Sequence, residues 1–396
     1  MRTVKPLMGL LGIAVGMMAV PLVANAETVK VGIILSYSGQ AAASTAQMDK
    51  GIRLYMKEHE KELGDTKIEL IRRDATGPNP DVAKRLAQEL ITRDRVNILT
   101  GFYFTPNINA VAPLATEAKV PTIIMNAATS STLRLSPYLV RVSFTLWQEA
   151  YPFGKWVAGQ HYKTAYTAVT DYAPGHDTEA AFTKSFTEAG GKMVGQVRMP
   201  LKNPDYIPFL QRIKDEKPDA MLIFVPGSKD ATAVMKAYTE LGFGQTGIHL
   251  VATQDIVPDS ELPNMGDVPP GVVTVGTYSA VGDRPANKAF VAAWKKEYGP
   301  NAIPDVFAVD AYDGMAAIFH VVEAQKGKID PDRTMDLLKH WKHESPRGPI
   351  MIDPETRNIV QNIYMRRLEK VNGQLANVEF ETIPMVQDPW FKLNPK

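Results

Sequence analysis

The chain has 396 residues, 45% of them apolar and 22% charged, and it contains no cysteine; a disulfide frame, a thiol nucleophile and a lipid-carrying N-terminal cysteine are excluded. Its formal net charge is +1, and taking Arg2 and Lys5 away with the leader described next leaves one basic residue fewer than the 43 acids. Neither nucleic acid nor an anionic membrane surface is implied as a partner, and the length exceeds what one hydrophobic core usually fills, which argues for two lobes.

Arg2 and Lys5 precede an apolar run from Leu7 to Val23, and Ala24-Asn25-Ala26 supplies small residues just before Glu27. This is the pattern of a secretory signal peptide over residues 1–26, cleaved after Ala26. The run is short of the roughly 20 residues that span a bilayer and is broken by Pro21, which argues against a retained anchor. A periplasmic location is expected.

From there, short β-rich runs alternate with longer helical patterns, the signature of a parallel sheet covered by helices on both faces. Strands are expected at Val29–Leu35, Ile68–Arg72, Val96–Thr100, Pro121–Met125 and Leu139–Val142, with helices or helical turns at Ala46–His59, Asp81–Arg93, Ile108–Ala118 and Ser130–Leu135. A second α/β series follows from Trp147 to Thr253, its strands at Ala165–Thr170, Lys192–Arg198, Ala220–Val225 and Ile248–Thr253. Beyond Val272 the chain offers a strand to Tyr278, helices at Asn287–Tyr298, Val306–Gln325 and Pro331–Lys342, and two strands joined at Asn372-Gly373, a hairpin signal. One strand and three helices make a poor domain of their own, so this tail is expected to complete the two lobes.

Several motifs carry less than their spelling suggests. Gly242-Phe243-Gly244-Gln245-Thr246-Gly247 spells a dinucleotide fingerprint but follows a helix and precedes a strand, the reverse of what pyrophosphate binding needs; Gly242 reads as a left-handed helix C-cap and no cofactor is expected. His340 and His343 stand three apart on an expected helix, yet no third ligand stands at metal spacing, so no metal is expected. His176 beside Asp177 lacks a nucleophile and an oxyanion site, and Asp177 reads as the cap of a helix that starts near Glu179. Walker loops, zincin motifs and nucleophile elbows do not occur.

The ends of strands are more informative, because open α/β sheets bind ligands outside the carboxyl ends of their strands. Four are unusually furnished: Ser36-Tyr37-Ser38-Gly39, Gly101-Phe102-Tyr103-Phe104-Thr105-Pro106, Asn126-Ala127-Ala128-Thr129-Ser130-Ser131, and Asp171-Tyr172-Ala173-Pro174-Gly175-His176-Asp177. Thr105 and Thr129 each place a hydroxyl beside the free N–H groups of a following helix, an arrangement suited to a carboxylate. Tyr37, Phe102, Tyr103, Phe104 and Tyr172 offer ring faces for an apolar or flat ligand body.

With the leader, the tandem lobes and these loops together, the chain resembles the type I periplasmic binding proteins, the Leu/Ile/Val group that feeds ABC importers, over nearly all of residues 27–380. The stretches that carry the likeness are Val29-Lys30-Val31-Gly32-Ile33 with Tyr37-Ser38-Gly39, Gly51-Ile52, Ala110-Val111-Ala112-Pro113-Leu114-Ala115, Val120-Pro121, Ala127-Ala128-Thr129, and Asp171 to Asp177. The resemblance implies an α/β fold of two doubly wound parallel-sheet lobes joined by three crossover strands, near Arg141–Phe144, Val275–Ser279 and Pro346–Ile350. It divides the mature chain into residues 27–142 plus 278–347 and residues 143–277 plus 348–396. It also implies a monomer that closes on a small carboxylate without chemistry and delivers it to a membrane permease.

Carried over residue by residue, the likeness assigns the carboxylate to Thr105, or a position beside it, and to Ala127, Ala128 and Thr129. The facing lobe contributes Tyr172, Pro174 and Ser228, with Asp255, or Gln254 beside it, where amino-acid binders hold the ligand ammonium. Tyr278, at the second crossover, is placed to close over the ligand. The rings at Phe102 to Phe104 depart from the small polar residues of amino-acid binders and favour an aromatic acid of benzoate or phenylpropenoate type; the alternatives are a branched-chain or other aliphatic amino acid and, more remotely, a secreted hydrolase.

Overall fold

The structure is a computed structural model that describes residues 1–4, 27–266 and 268–395. The leader's apolar run and its cleavage site lie outside the described residues. The first series runs β1 (Thr28–Leu35), α1 (Ala42–His59), β2 (Lys67–Asp74), α2 (Pro80–Thr92), β3 (Ile98–Gly101), α3 (Thr105–Glu117), β4 (Thr122–Ile124) and β5 (Leu139–Arg141). Its five strands form one parallel sheet in the order β2-β1-β3-β4-β5. Alternation along β1 sends Val29, Val31, Ile33 and Leu35 to one face and Ile34 to the other, so both faces need a helical cover.

The second series runs α4 (Leu146–Gly159), β6 (Thr164–Thr170), α5 (Ala173–Glu188), β7 (Lys192–Met199), α6 (Ile207–Glu216), β8 (Ala220–Phe224), α7 (Ser228–Glu240) and β9 (His249–Thr253). The tail supplies β10 (Val273–Gly276), α8 (Pro285–Tyr298), α9 (Val306–Ala324), α10 (Pro331–Lys339), β11 (Lys342–Ser345), β12 (Gly348–Ile352), β13 (Ile359–Val371) and β14 (Gln374–Val386). As expected, it divides itself: α8 and α9 pack on the first sheet's core, whereas β10 to β14 extend the second sheet. That second sheet keeps the expected parallel α/β part and is mixed overall, because the hairpin signalled by Asn372-Gly373 joins it. β7, β6, β8, β9 and β10 are parallel, and β13, which pairs antiparallel with β10, β12 and β14, turns the rest around. The Asn372-Gly373 turn has φ of +52° and +81°, the left-handed pair that a tight hairpin demands.

Two expectations are corrected. α10 ends at Lys339, so His340 is its cap and His343 lies in β11, where its ring stacks on Trp341 at 5.4 Å; the two imidazoles do not share a helix face. α5 begins at Ala173 rather than near Glu179, and its cap is Tyr172, not Asp177. The reason is Gly175, whose missing Cβ would lie 1.9 Å from the carbonyl oxygen of Thr170. That close approach lets the helix start almost on top of the strand, and a loop becomes a first helical turn.

The chain passes between the sheets where Arg347 sits, with its side chain fully buried. Its guanidinium donates to the Ser143 carbonyl at 3.0 Å, to Asp310 at 2.6 Å, to Asp313 at 2.8 Å and to the Val142 carbonyl. One cation thereby ties the first passage to α9 and to the β11–β12 turn, with two carboxylates facing it in a dry place. α9 in turn lies against α1, where a Cβ on Gly51 would stand 2.2 Å from the Ala308 carbonyl oxygen. Gly51→Ala is expected to push the two helices apart and lower stability by about 1–3 kcal/mol, read as the shift in a urea unfolding curve.

Candidate functional site

Strand ends from the two sheets meet across a closed cavity lined by Tyr103, Asn126, Ala128, Phe144, Leu146, Tyr172, Pro174, Phe224, Pro226 and Asp255. Its volume is about 10 Å³, room for about one water and far below the roughly 300 Å³ of pockets for drug-sized ligands, so a guest has to part the two walls to enter. A much larger surface concavity, about 810 Å³, lies elsewhere, between α4, α5 and β14 around Trp156, and touches none of these strand ends.

On the first wall, Gly101 and Phe102 both have positive φ, +100° and +64°. For a phenylalanine this is a costly conformation. It reverses the chain at the end of β3, so that Phe102 drops into the core under α2 and α3 while Tyr103 faces the cavity. The Tyr103 hydroxyl donates to the carbonyl of Pro226 on the opposite wall, and its own carbonyl accepts from Asn126 Nδ2 at 2.8 Å. In the turns that follow β3 and β4, Thr105 Oγ1, Asn126 Oδ1 and Thr129 Oγ1 are buried with no hydrogen-bond partner. Orphaned polar atoms of this kind cost about 1–3 kcal/mol each, and three together at one strand-end cluster mark a place shaped for a polar guest.

On the second wall, the Tyr172 ring stacks on Phe224 with centroids 6.1 Å apart and planes at 20°. Pro174 follows in the first turn of α5, and Pro226-Gly227 leads into α7, whose first residue Ser228 also has a buried hydroxyl without a partner. Asp255 stands in the turn after β9, accepting from Thr253 Oγ1 at 3.0 Å. Burial is the main reason its carboxyl is pushed up to about 6. Gln254 points away, donating to Glu149 Oε1 at 2.6 Å and accepting from the Thr277 N–H at 2.9 Å. Of the two neighbours, the acid is the one at the cavity.

The residues picked from the sequence divide accordingly. Tyr103, Ala128, Tyr172, Pro174 and Asp255 line the cavity. Thr105, Ala127, Thr129 and Ser228 sit one or two residues from lining positions, in the same turns. Tyr37, Phe102, Phe104 and Tyr278 stand away from it. Tyr37 is drawn to Asp49, its hydroxyl 3.3 Å from Oδ1, Phe104 meets Tyr103 edge to face at 4.9 Å, and Tyr278 is fully buried in the first core. Asn126, Phe144, Leu146, Phe224 and Pro226 were not picked; each closes or directly follows a strand or a passage between sheets, the one signal that would have found them. One expected anion site is already engaged: the Ser130 N–H donates to Asp177 Oδ2 at 3.0 Å, from α5 across the interlobe gap.

The family model of periplasmic binding proteins matches residues 28–374. A Leu/Ile/Val-binding protein homolog of Brucella suis is 41% identical over 93% of this chain and 95% of its own length. A solute binding protein of an ABC transporter from Rhodopseudomonas palustris BisB5, solved with 3,4-dihydroxybenzoic acid, is 47% identical, covers 92% of this chain and 99% of that one, and superposes with a TM-score of 0.88. Another from R. palustris HaA2, solved with p-hydroxybenzoic acid, is 42% identical with a TM-score of 0.90 over 93% of this chain and 100% of that one. The chain belongs to the periplasmic binding protein family, with the type I fold of an ABC-importer substrate-binding protein. No helix among the described residues is long and apolar enough to cross a membrane.

Because the folded-state carboxyl of Asp255 sits above its ordinary 3.8, its protonated form contributes stability that is full below 3.8 and lost as pH rises through about 6. Asp255→Asn is therefore expected to stabilise the free protein by roughly 1–3 kcal/mol at pH 7 and by little at pH 4. Chemical denaturation of both proteins at the two pH values reads this difference.

Proposed function

We propose that the protein captures a hydroxylated benzoate between its lobes and hands it to the membrane permease of an ABC importer. The observation that carries this reading is the division of one small cavity into an amide and hydroxyl end, a ring-lined middle and a single buried acid. The ligand carboxylate would meet the turn of Asn126, Ala127, Ala128 and Thr129 with the start of α3 at Thr105, where unpaired donors and the helix dipole favour an anion. The ring would lie among Tyr103, Phe144, Tyr172 and Phe224. A phenolic hydroxyl would donate to Asp255, which otherwise bears the cost of a buried carboxylate with one hydroxyl partner.

The hydroxybenzoates bound by the two R. palustris proteins support this choice over a branched-chain amino acid. Four rings around the cavity support it as well. A purely binding role is supported by the serines: Ser36 and Ser38 give their hydroxyls to the Gly77 carbonyl at 3.3 Å and to Asp74 at 2.6 Å, and no serine hydroxyl bonds to an imidazole among the described residues. We assign residues 27–142 plus 278–347 to one moving lobe and 143–277 plus 348–396 to the other. The mature chain is read as a periplasmic monomer starting at Glu27, after cleavage at Ala26.

Thermal shift with benzoates, phenylpropenoates, branched-chain amino acids and their amides tests the ligand class, since a guest that binds only the folded state raises the melting temperature. Hydroxybenzoates are expected to give the largest shift; a response to leucine-like compounds alone would overturn the ligand and leave the family intact. The phenol contact has its own pH signature. A hydroxyl that donates to ionised Asp255 exchanges a charged acceptor for a weaker neutral one as pH falls through about 6, so 4-hydroxybenzoate should bind more weakly at pH 5.5 than at pH 7.5, by up to about fourfold. Benzoate, without the hydroxyl, should show no such loss by calorimetry.

A further inference from the structure

The turn Asn126–Thr129 has an unusual support behind it. Arg141, at the end of β5, is fully buried, and its guanidinium spends its donors on neutral acceptors: Nε on the Ala127 carbonyl at 2.9 Å, Nη2 on the Thr129 carbonyl at 2.6 Å, Nη1 on Asn358 Oδ1 at 2.7 Å. Between the two clamped carbonyls, that of Ala128 accepts from the Leu146 N–H at 3.2 Å. Three successive carbonyls are thus held from behind. The side chains of Asn126 and Ala128 line the cavity, and neither the Ala128 nor the Thr129 N–H is given to a backbone carbonyl.

A planar fork with donors at fixed spacing can grip two carbonyls of one turn at once, which a point-charge ammonium cannot. The grip is itself anchored. Asn358 reaches Asp388 Oδ2 at 3.4 Å, and the Trp390 N–H donates to Asp388 Oδ1 at 2.9 Å. Trp390 lies under the Arg134 guanidinium at 4.3 Å, so the end of the chain closes back on the segment that follows Thr129. Asp388 and Asp177 act on Arg141 only at longer range, and burial moves its pKa down to about 10, leaving it charged at neutral pH.

We infer that Arg141 is the positioning residue of the binding site, clamping the Ala127 and Thr129 carbonyls so that the donors of this turn face an anionic ligand group. The inference rests on the carboxylate reading above and deepens it: Arg141 does not touch the ligand, yet it sets the preference for a carboxylate over a neutral group of the same shape.

The test compares 4-hydroxybenzoate with 4-hydroxybenzamide by calorimetry on the full mature chain. The wild type should prefer the carboxylate. Arg141→Lys keeps the charge and loses the fork, so that preference should fall about tenfold while affinity for the amide changes less than twofold. An unchanged ratio, or an equal loss for both compounds, would overturn the assignment, because a merely structural role moves both affinities together. Should Arg141→Lys fail to fold, Asn358→Ala, which frees Nη1 and releases the Asp388 contact while leaving Nε and Nη2 in place, decides by the same ratio: a several-fold fall supports the assignment and no fall overturns it. A wild type that binds both compounds alike would instead remove the carboxylate reading, and the role of Arg141 with it.

Discussion

The hydroxyl of Tyr103, carried by a strained turn of one sheet, ends on the carbonyl of Pro226 in the other, and the ring between them lines the cavity. The closed geometry of the site depends on this reach. Other contacts across the gap lie around it: Gln40 Nε2 to the Leu201 carbonyl at 3.2 Å, the Ser130 N–H to Asp177, and Ser260 Oγ to Asp305 at 2.5 Å. Tyr103 differs from these in touching both the opposite lobe and the space where a guest would lie. A ligand that braces this ring therefore also braces the closed form, which is how binding energy becomes a change of shape.

Buried polar groups gather at two places that matter for the site. At the passage between sheets, Arg347 meets Asp310, Asp313 and two carbonyls, two carboxylates facing one cation, and burial pushes the Asp310 carboxyl up. At the strand ends around the cavity, Thr105, Asn126, Thr129 and Ser228 keep buried polar atoms unpaired and Asp255 holds a carboxyl raised by burial. Each such group lowers the stability of the free protein. Unpaired buried polar atoms also occur at Arg347, Asp310 and Asp313; those at the facing strand ends differ in standing beside a ring-lined gap.

Much of the fold was legible because its signals are local. Alternating strands and helical patterns gave the two series nearly to their ends, and Asn372-Gly373 announced the hairpin. Where that hairpin joins the second sheet was not legible: nothing in the residues of β13 says that it runs against β10, since pairing partners are set by tertiary placement. Helix starts at α3 and α5 came earlier than expected because Gly175, and the paired positive φ of Gly101 and Phe102, act through space. The same cause divided the site residues. Asp255, Tyr103 and Tyr172 follow strands directly and so face the cavity. Phe102, one residue from Tyr103, is turned the other way by a backbone conformation no propensity scale anticipates, and Tyr37 is claimed by Asp49, an acid twelve residues on.

A crystal structure of the mature protein grown with 4-hydroxybenzoate addresses the central claim most directly. The account predicts one ring lying among Tyr103, Tyr172 and Phe224, its carboxylate on the Asn126–Thr129 turn and its phenol on Asp255, with Tyr103 still bonded to Pro226. A ligand seated outside this cavity, or one that presents its carboxylate to Asp255, would contradict it.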